Sequence, residues 1–216
     1  KAFDVQFTTS AGQRDYVFAT SWGVSTRLIG TMLMAHSDDK GLVAPPRLAP
    51  VQVVILPMGK DEAVRNQTIA AADKLALALR QNLWSGPAFR PREVEIPELT
   101  GPLPSPIRVH IDKREKESPG FKFNHWELKG ACVRVELGPR DLEAGTCVLA
   151  RRDTGEKETV ALNEAAARIH EILTDMQSAL YERALTFRVA STHRVNTREE
   201  FEAAFPEEGG GGFVVA

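Results

Sequence analysis

The chain has 216 residues, 43% of them hydrophobic and 26% charged, with a formal net charge of −2. That length holds one large domain or one and a half small ones, and that balance argues against a generic polyanion binder while leaving room for a local basic patch. The longest apolar stretch, residues 51–57, is too short to span a bilayer, so no membrane partner is expected.

In chain order, Phe3, Val5 and Phe7 alternate with Asp4, Gln6 and Thr8, the pattern of a half-buried strand. After punctuation at Ala11 and Gly12, residues 16–21 read as the returning strand of a hairpin. Beyond Gly23 the period changes: Leu28, Ile29, Met32, Leu33 and His36 share a helical face, and residues 37–41 end the helix. A hairpin feeding a helix cannot bury its own faces, so residues 1–45 are expected to be a fragment of a domain. Pro45, Pro46 and Pro50 make a stiff connector. Residues 51–56 (VQVVIL) form a nearly continuous apolar run, the texture of a strand covered on both faces. Residues 61–83 read as a helix, the proline-rich 85–106 as a surface loop, 107–111 as a strand, and 121–129 as a helix ended by Gly130. Three more strands are expected at 132–137, 146–151 and 158–161. Strands separated by helices predict an α/β domain with a mixed five-stranded sheet across residues 46–160. Residues 163–188 read as a long helix turning Leu162, Ile169, Leu173, Met176, Leu180 and Phe187 toward a core. A helix at 197–205, a turn at 209–212 and a strand opening at Phe213 follow, so 161–216 is expected to hold that helix and the start of a truncated domain.

Cys132 and Cys147 have no CxxC spacing, which supplies neither a disulfide framework nor a zinc site. With no secretory leader opening these residues, the cytoplasm is the expected compartment. His36, Asp38 and Asp39 sit together at a helix end, where such residues cap, pair or face solvent; no metal is expected there.

Two runs carry chemistry. In residues 20–30, TSWGVSTRLIG, a strand pattern ends at Gly23 and Arg27 falls in the first turn of the next helix. Glycine admits close approach to the backbone. A helix start offers free N–H groups to an anion, and an Arg there grips phosphate bidentately. A salt-bridged Arg beside a core Trp accounts for the same spacing. In residues 108–141, basic and aromatic side chains interleave: Arg108, Lys113, Arg114, Lys116, Phe121, Lys122, Phe123, Trp126, Lys129, Arg134 and Arg140. Unpaired RNA bases are read by stacking on aromatic or guanidinium planes and by bonding their edges. A solvated KREKE loop over a core Phe121 and Trp126 fits the pattern too.

Both runs resemble the prolyl-tRNA synthetases of the archaeal/eukaryote-like type. The S-W-G-x-[ST]-T-R-x-I-G form is similar to motif 3 of that class II family, and the following GLVAPPRLAPVQVV also resembles it. The run PGFKFNHWELKGACVRVELGPRD resembles the family's anticodon-binding domain. The resemblance implies a proline–tRNA ligase in which residues 1–45 end an antiparallel-sheet catalytic domain. Ser25 and Arg27 are then the ATP contacts, with Arg27 on the γ-phosphate as the catalytic cation, and Trp22 and Gly23 wall the proline and adenylate pocket. Proline's carboxylate attacks the α-phosphorus of ATP, Mg²⁺ assisting, and the tRNA 3′ ribose then takes the prolyl group. It further implies that Phe123 stacks on an anticodon base while Glu127, Arg134 and Arg140 bond the two anticodon guanines of tRNA(Pro). Motifs 1 and 2 are absent from these residues, so inactivity alone is expected, with a homodimer for the full-length enzyme and no zinc in this chain. The competing readings are a standalone tRNA-binding accessory module without ligase activity, and another class II synthetase.

Overall fold

A computed structural model describes residues 3–87, 104–205 and 212–215, in two compact units, residues 1–31 and 32–216. In the first, β1 (Gln6–Thr8) and β2 (Arg14–Tyr16) pair antiparallel with Gln6 opposite Tyr16. Their turn is closed by the Thr9 N–H donating to the Gln13 carbonyl at 2.7 Å, and it passes through Gly12 at φ 76°, a conformation glycine adopts without strain. This corrects the return expected at 16–21. The turn sets the register and brings the chain back at Arg14, ahead of the apolar residues that suggested the strand. Helix α1 (Arg27–His36) has no buried residue, so its apolar face, expected to pack, is uncovered among the described residues.

The second unit is built on a sheet. Strand β3 (Val53–Pro57) is buried along its whole length, as the VQVVIL run predicts. Helix α2 (Glu62–Gln81) leads to β4 (Leu83–Trp84), which pairs antiparallel with β5 (Ser105–Pro106). The expected loop 85–106 is thus pinned at its ends, where buried Trp84 donates its Nε1–H to Thr174 Oγ1 at 3.0 Å; its residues 88–103 lie outside the described residues. Then come β6 (Val109–Ile111), α3 (Pro119–Leu128), β7 (Val133–Leu137), α4 (Pro139–Ala144), β8 (Thr146–Arg151) and β9 (Lys157–Ala161). The sheet order is β6-β3-β7-β8-β9, with β3 parallel to β6 and β7 and the remaining pairs antiparallel. These are the five strands expected from the sequence, with ends moved by at most two residues.

Helix α4 was not expected. It is too short to show a period, but Pro139 in its first turn and Asp141 Oδ2 accepting from the Gly138 N–H at 2.8 Å are its start signals. Helix α5 (Ala165–Ala190) buries Ile169, Leu173, Met176 and Leu180 as expected, whereas Phe187 is exposed. The buried residues of α5 end at Leu180, so Phe187 falls in turns that carry none. β10 (Thr192–Arg194), α6 (Arg198–Ala203) and β11 (Phe213–Val215) follow, β10 and β11 pairing parallel. The turn expected at 209–212 lies outside the described residues except for Gly212.

Alternation along the strands divides the core. Val53, Ile55, Val133, Val135, Leu137, Cys147 and Leu149 face α2 and α5. Val54 and Leu56 face α3, meeting Trp126, Ala131 and Phe123. The proline connector is clamped underneath. Buried Gln52 donates to the Pro46 carbonyl and accepts the Arg108 N–H, while the Arg108 guanidinium reaches the carbonyls of Pro46, Arg47 and Ala49.

Candidate nucleic-acid interface

Cross-strand partners share a face, and one register row crosses the whole sheet: His110, Val54, Arg134, Ala150, Lys157. Helix α3 covers the first part of that row through Trp126, whose ring lies 4.8 Å from that of His110. It reaches β7 through Phe123 and leaves the part over β8 and β9 open. The helix starts at Ser118, whose Oγ accepts the Phe121 N–H, with Pro119 in the first turn, and it ends at Gly130. Phe123 and Glu127 are four residues apart and so lie on one flank of α3, the flank beside the open strands.

On that flank the Arg134 guanidinium lies 4.4 Å from the centroid of Phe123. Glu127 and Arg134 line one cleft of about 210 Å³ together with Lys40, Trp126, Ala150, Arg152 and Lys157. The structure therefore brings together three of the four anticodon residues named from the sequence. Arg140, exposed in the first turn of α4, does not line this cleft. Lys40, Arg152 and Lys157 escaped the sequence reading. Lys157 had a signal, since it alternates with Val160 and Glu158 across a short strand; Lys40 and Arg152 are distant in sequence and had none.

Hydrogen bonds sort the remaining cations. Lys113 is held by Asp73, and Arg114 by Asp112 at 2.6 Å. Lys122 is buried and donates to the Asp112 carbonyl. Trp126 is core, donating its Nε1–H to Asp112 Oδ2 at 2.8 Å, whereas Phe121 is exposed. Burial alone would raise the Asp112 pKa, but hydrogen bonds from Arg114 and Trp126 and the charge of Lys122 hold it well below the usual carboxylate range. Arg152, buried, forks onto Asp38 at 2.6 and 2.8 Å and donates to the Glu127 carbonyl at 3.1 Å, which fixes the end of α3. That pairing first, against a smaller burial effect, lowers the Asp38 pKa to about 2. Asp38 thus serves an ion pair. Among the described residues no three His, Cys, Asp or Glu are grouped as metal ligands. Cys132 and Cys147 are buried thiols, and burial pushes their pKa up to about 12 and about 11, so both behave as core residues.

In the first unit, Trp22 is exposed, so it is no core residue among those described. Gly23 has no atom within 4 Å of where a Cβ would stand. The Ser25 carbonyl accepts the Leu28 N–H at 3.1 Å, and Arg27 opens α1. Arg27 and the N–H groups beside it make a cationic helix start of the kind that suits phosphate oxygens.

A family model described as the anticodon binding domain matches residues 52–172. The chain is 46% identical to a proline–tRNA ligase from Pelodictyon phaeoclathratiforme and 46% identical to one from Chlorobaculum tepidum; each match takes in all of this chain and 39% of the relative. The crystal structure of prolyl-tRNA synthetase from Cryptosporidium parvum complexed with L-proline and AMP is similar, with a TM-score of 0.72 and 34% identity over 92% of this chain and 38% of that one. The same enzyme complexed with halofuginone and AMPPNP gives a TM-score of 0.72, with 92% and 36% covered. The chain spans about two fifths of the length of the curated relatives it matches. No described helix is long and apolar enough to cross a membrane.

Proposed function

This chain belongs to the anticodon-binding domain family, and from that premise we propose that it reads the anticodon of a proline tRNA for a proline–tRNA ligase. The observation that carries the reading is the Phe123–Arg134 stack at 4.4 Å with Glu127 on the same cleft. A base stacks on the exposed part of that platform. The Glu127 carboxylate accepts from guanine N1–H and N2–H, and an Arg donates to guanine O6 and N7. Arg140 takes its part from outside the cleft, at the start of α4. Lys40 and Lys157 hold phosphate, so affinity falls as salt rises.

Residues 1–45 belong to the ligase's ATP site, residues 46–160 to the anticodon reader, and 161–216 to the long helix and a further domain. Arg27 binds the γ-phosphate of ATP, Ser25 the nucleotide beside it, and Trp22 and Gly23 border the proline pocket. Mg²⁺ supplies charge neutralisation at the phosphates when bound. The relatives' ligase activity, solved with proline and AMP in the Cryptosporidium enzyme, supports this assignment. Ligation belongs to a protein of the relatives' length, acting as a cytoplasmic homodimer, and this chain alone does not activate proline.

The test is binding of the chain to proline tRNA against a transcript with both anticodon guanines replaced by adenine. A bidentate base contact is worth about 1–3 kcal/mol, so the expected loss is at least tenfold. Equal affinity for the two transcripts would contradict the reading.

A further inference from the structure

Glu136 stands two residues beyond Arg134 on β7 and so on the same face of the sheet. Its Oε1 accepts from Arg134 Nε and Nη2, both at 3.1 Å, and from Lys157 Nζ at 2.8 Å. The pair is mostly shielded, with the Glu136 side chain 12% exposed and that of Arg134 16%. The same two cations lie over Phe123, Arg134 at 4.4 Å and Lys157 at 5.6 Å. The guanidinium is therefore held twice, by Phe123 against its face and by a carboxylate along one edge, and only the Nη1 side is left outside the pair.

The register explains how three long side chains converge. Ala150 stands between Arg134 and Lys157 in their row, and its small side chain leaves the space over β8 through which Lys157 reaches Glu136. Without the carboxylate, two cations would share one aromatic face and repel each other. With it, the group keeps a net positive charge and one geometry. Such preorganisation matters because a guanine edge is recognised only by donors held at a fixed angle.

We propose that Glu136, braced by Lys157, is a positioning residue for guanine recognition: it locks Arg134 over Phe123 in the reading orientation and does not itself touch RNA. This rests on the anticodon reading above. Two measurements on the full chain test it. The first is hydrogen exchange of the Arg134 Nε–H, followed by NMR without RNA. The second is the ratio of affinities for an anticodon stem-loop carrying two guanines and for the same stem-loop carrying adenines.

In E136Q the exchange is expected to quicken at least tenfold and the affinity ratio to fall at least tenfold. The double variant R134A/E136Q should bind no worse than R134A, because the two act as one unit. Should E136Q not fold, E136D, whose shorter side chain withdraws the carboxylate, is read in the same way. An affinity ratio that survives either variant overturns the proposal, and so does an unchanged exchange rate. A wild-type chain that binds both stem-loops alike overturns the anticodon reading, and this proposal with it.

Discussion

Arg108, Lys113, Arg114 and Lys122 stand in the same basic stretch as Arg134, yet each is engaged in holding the fold. Arg108 grips three carbonyls of the connector, and Lys122 is buried against Asp112. Asp112 organises the core side of α3, receiving Trp126, Arg114 and Lys122 on one carboxylate group. Replacing its carboxylate would leave buried Lys122 with the backbone carbonyl but without its counter-charge, and uncompensated buried charge is costly. Arg134 is paired as well, with Glu136, but it lines the open cleft. At the other candidate site the decisive residue is Arg27, for which a single test suffices. In a protein of the relatives' full length, R27A should lower proline-dependent ATP–pyrophosphate exchange at least a hundredfold, since a charged contact to a phosphate that strengthens during reaction is worth about 2.7–4 kcal/mol. Undiminished exchange would remove Arg27 from the ATP site.

Helix α3 joins the fold to the proposed recognition face, because it buries Trp126 while half-buried Phe123 and Glu127 border the open strands. Its far end is fixed by Gly130, at φ 70°, where a Cβ would stand 2.6 Å from Leu42 Cγ and 2.8 Å from the Leu42 carbonyl. G130A should therefore lower stability by about 1–3 kcal/mol in urea unfolding, and RNA affinity should fall because the Phe123–Glu127 flank shifts against β7. Unchanged stability would mean the backbone there adapts without strain. Much of this scale was legible in the sequence. Five strands were readable because apolar runs and alternation report directly on burial, and the glycine ending α3 was visible as punctuation. The hairpin return at 16–21 was misplaced because turn geometry, which a run of apolar residues does not encode, set the register. Helix α4 was missed because six residues show no period, and Phe187 was placed in the core because helical periodicity says nothing of where the core stops.

At the scale of the molecule, the site is a property of topology. β3 sends its connection through α2 on one face and β6 sends its own through α3 on the other, so α3 can cover only β6, β3 and β7 and the sheet stays open over β8 and β9. Phe123, Glu127 and Arg134 could be named from a family resemblance. Their convergence with Lys157 and Lys40 could not, since it depends on a register row across strands that are remote in sequence. The most direct measurement on the open face is amide and side-chain NMR shift mapping while an anticodon stem-loop of proline tRNA is added. Perturbations should gather at Phe123, Glu127, Arg134 and Lys157 and spare Ile169 and Met176 on α5. Shifts confined to the α2 and α5 side of the sheet would contradict the assignment of the open face to RNA.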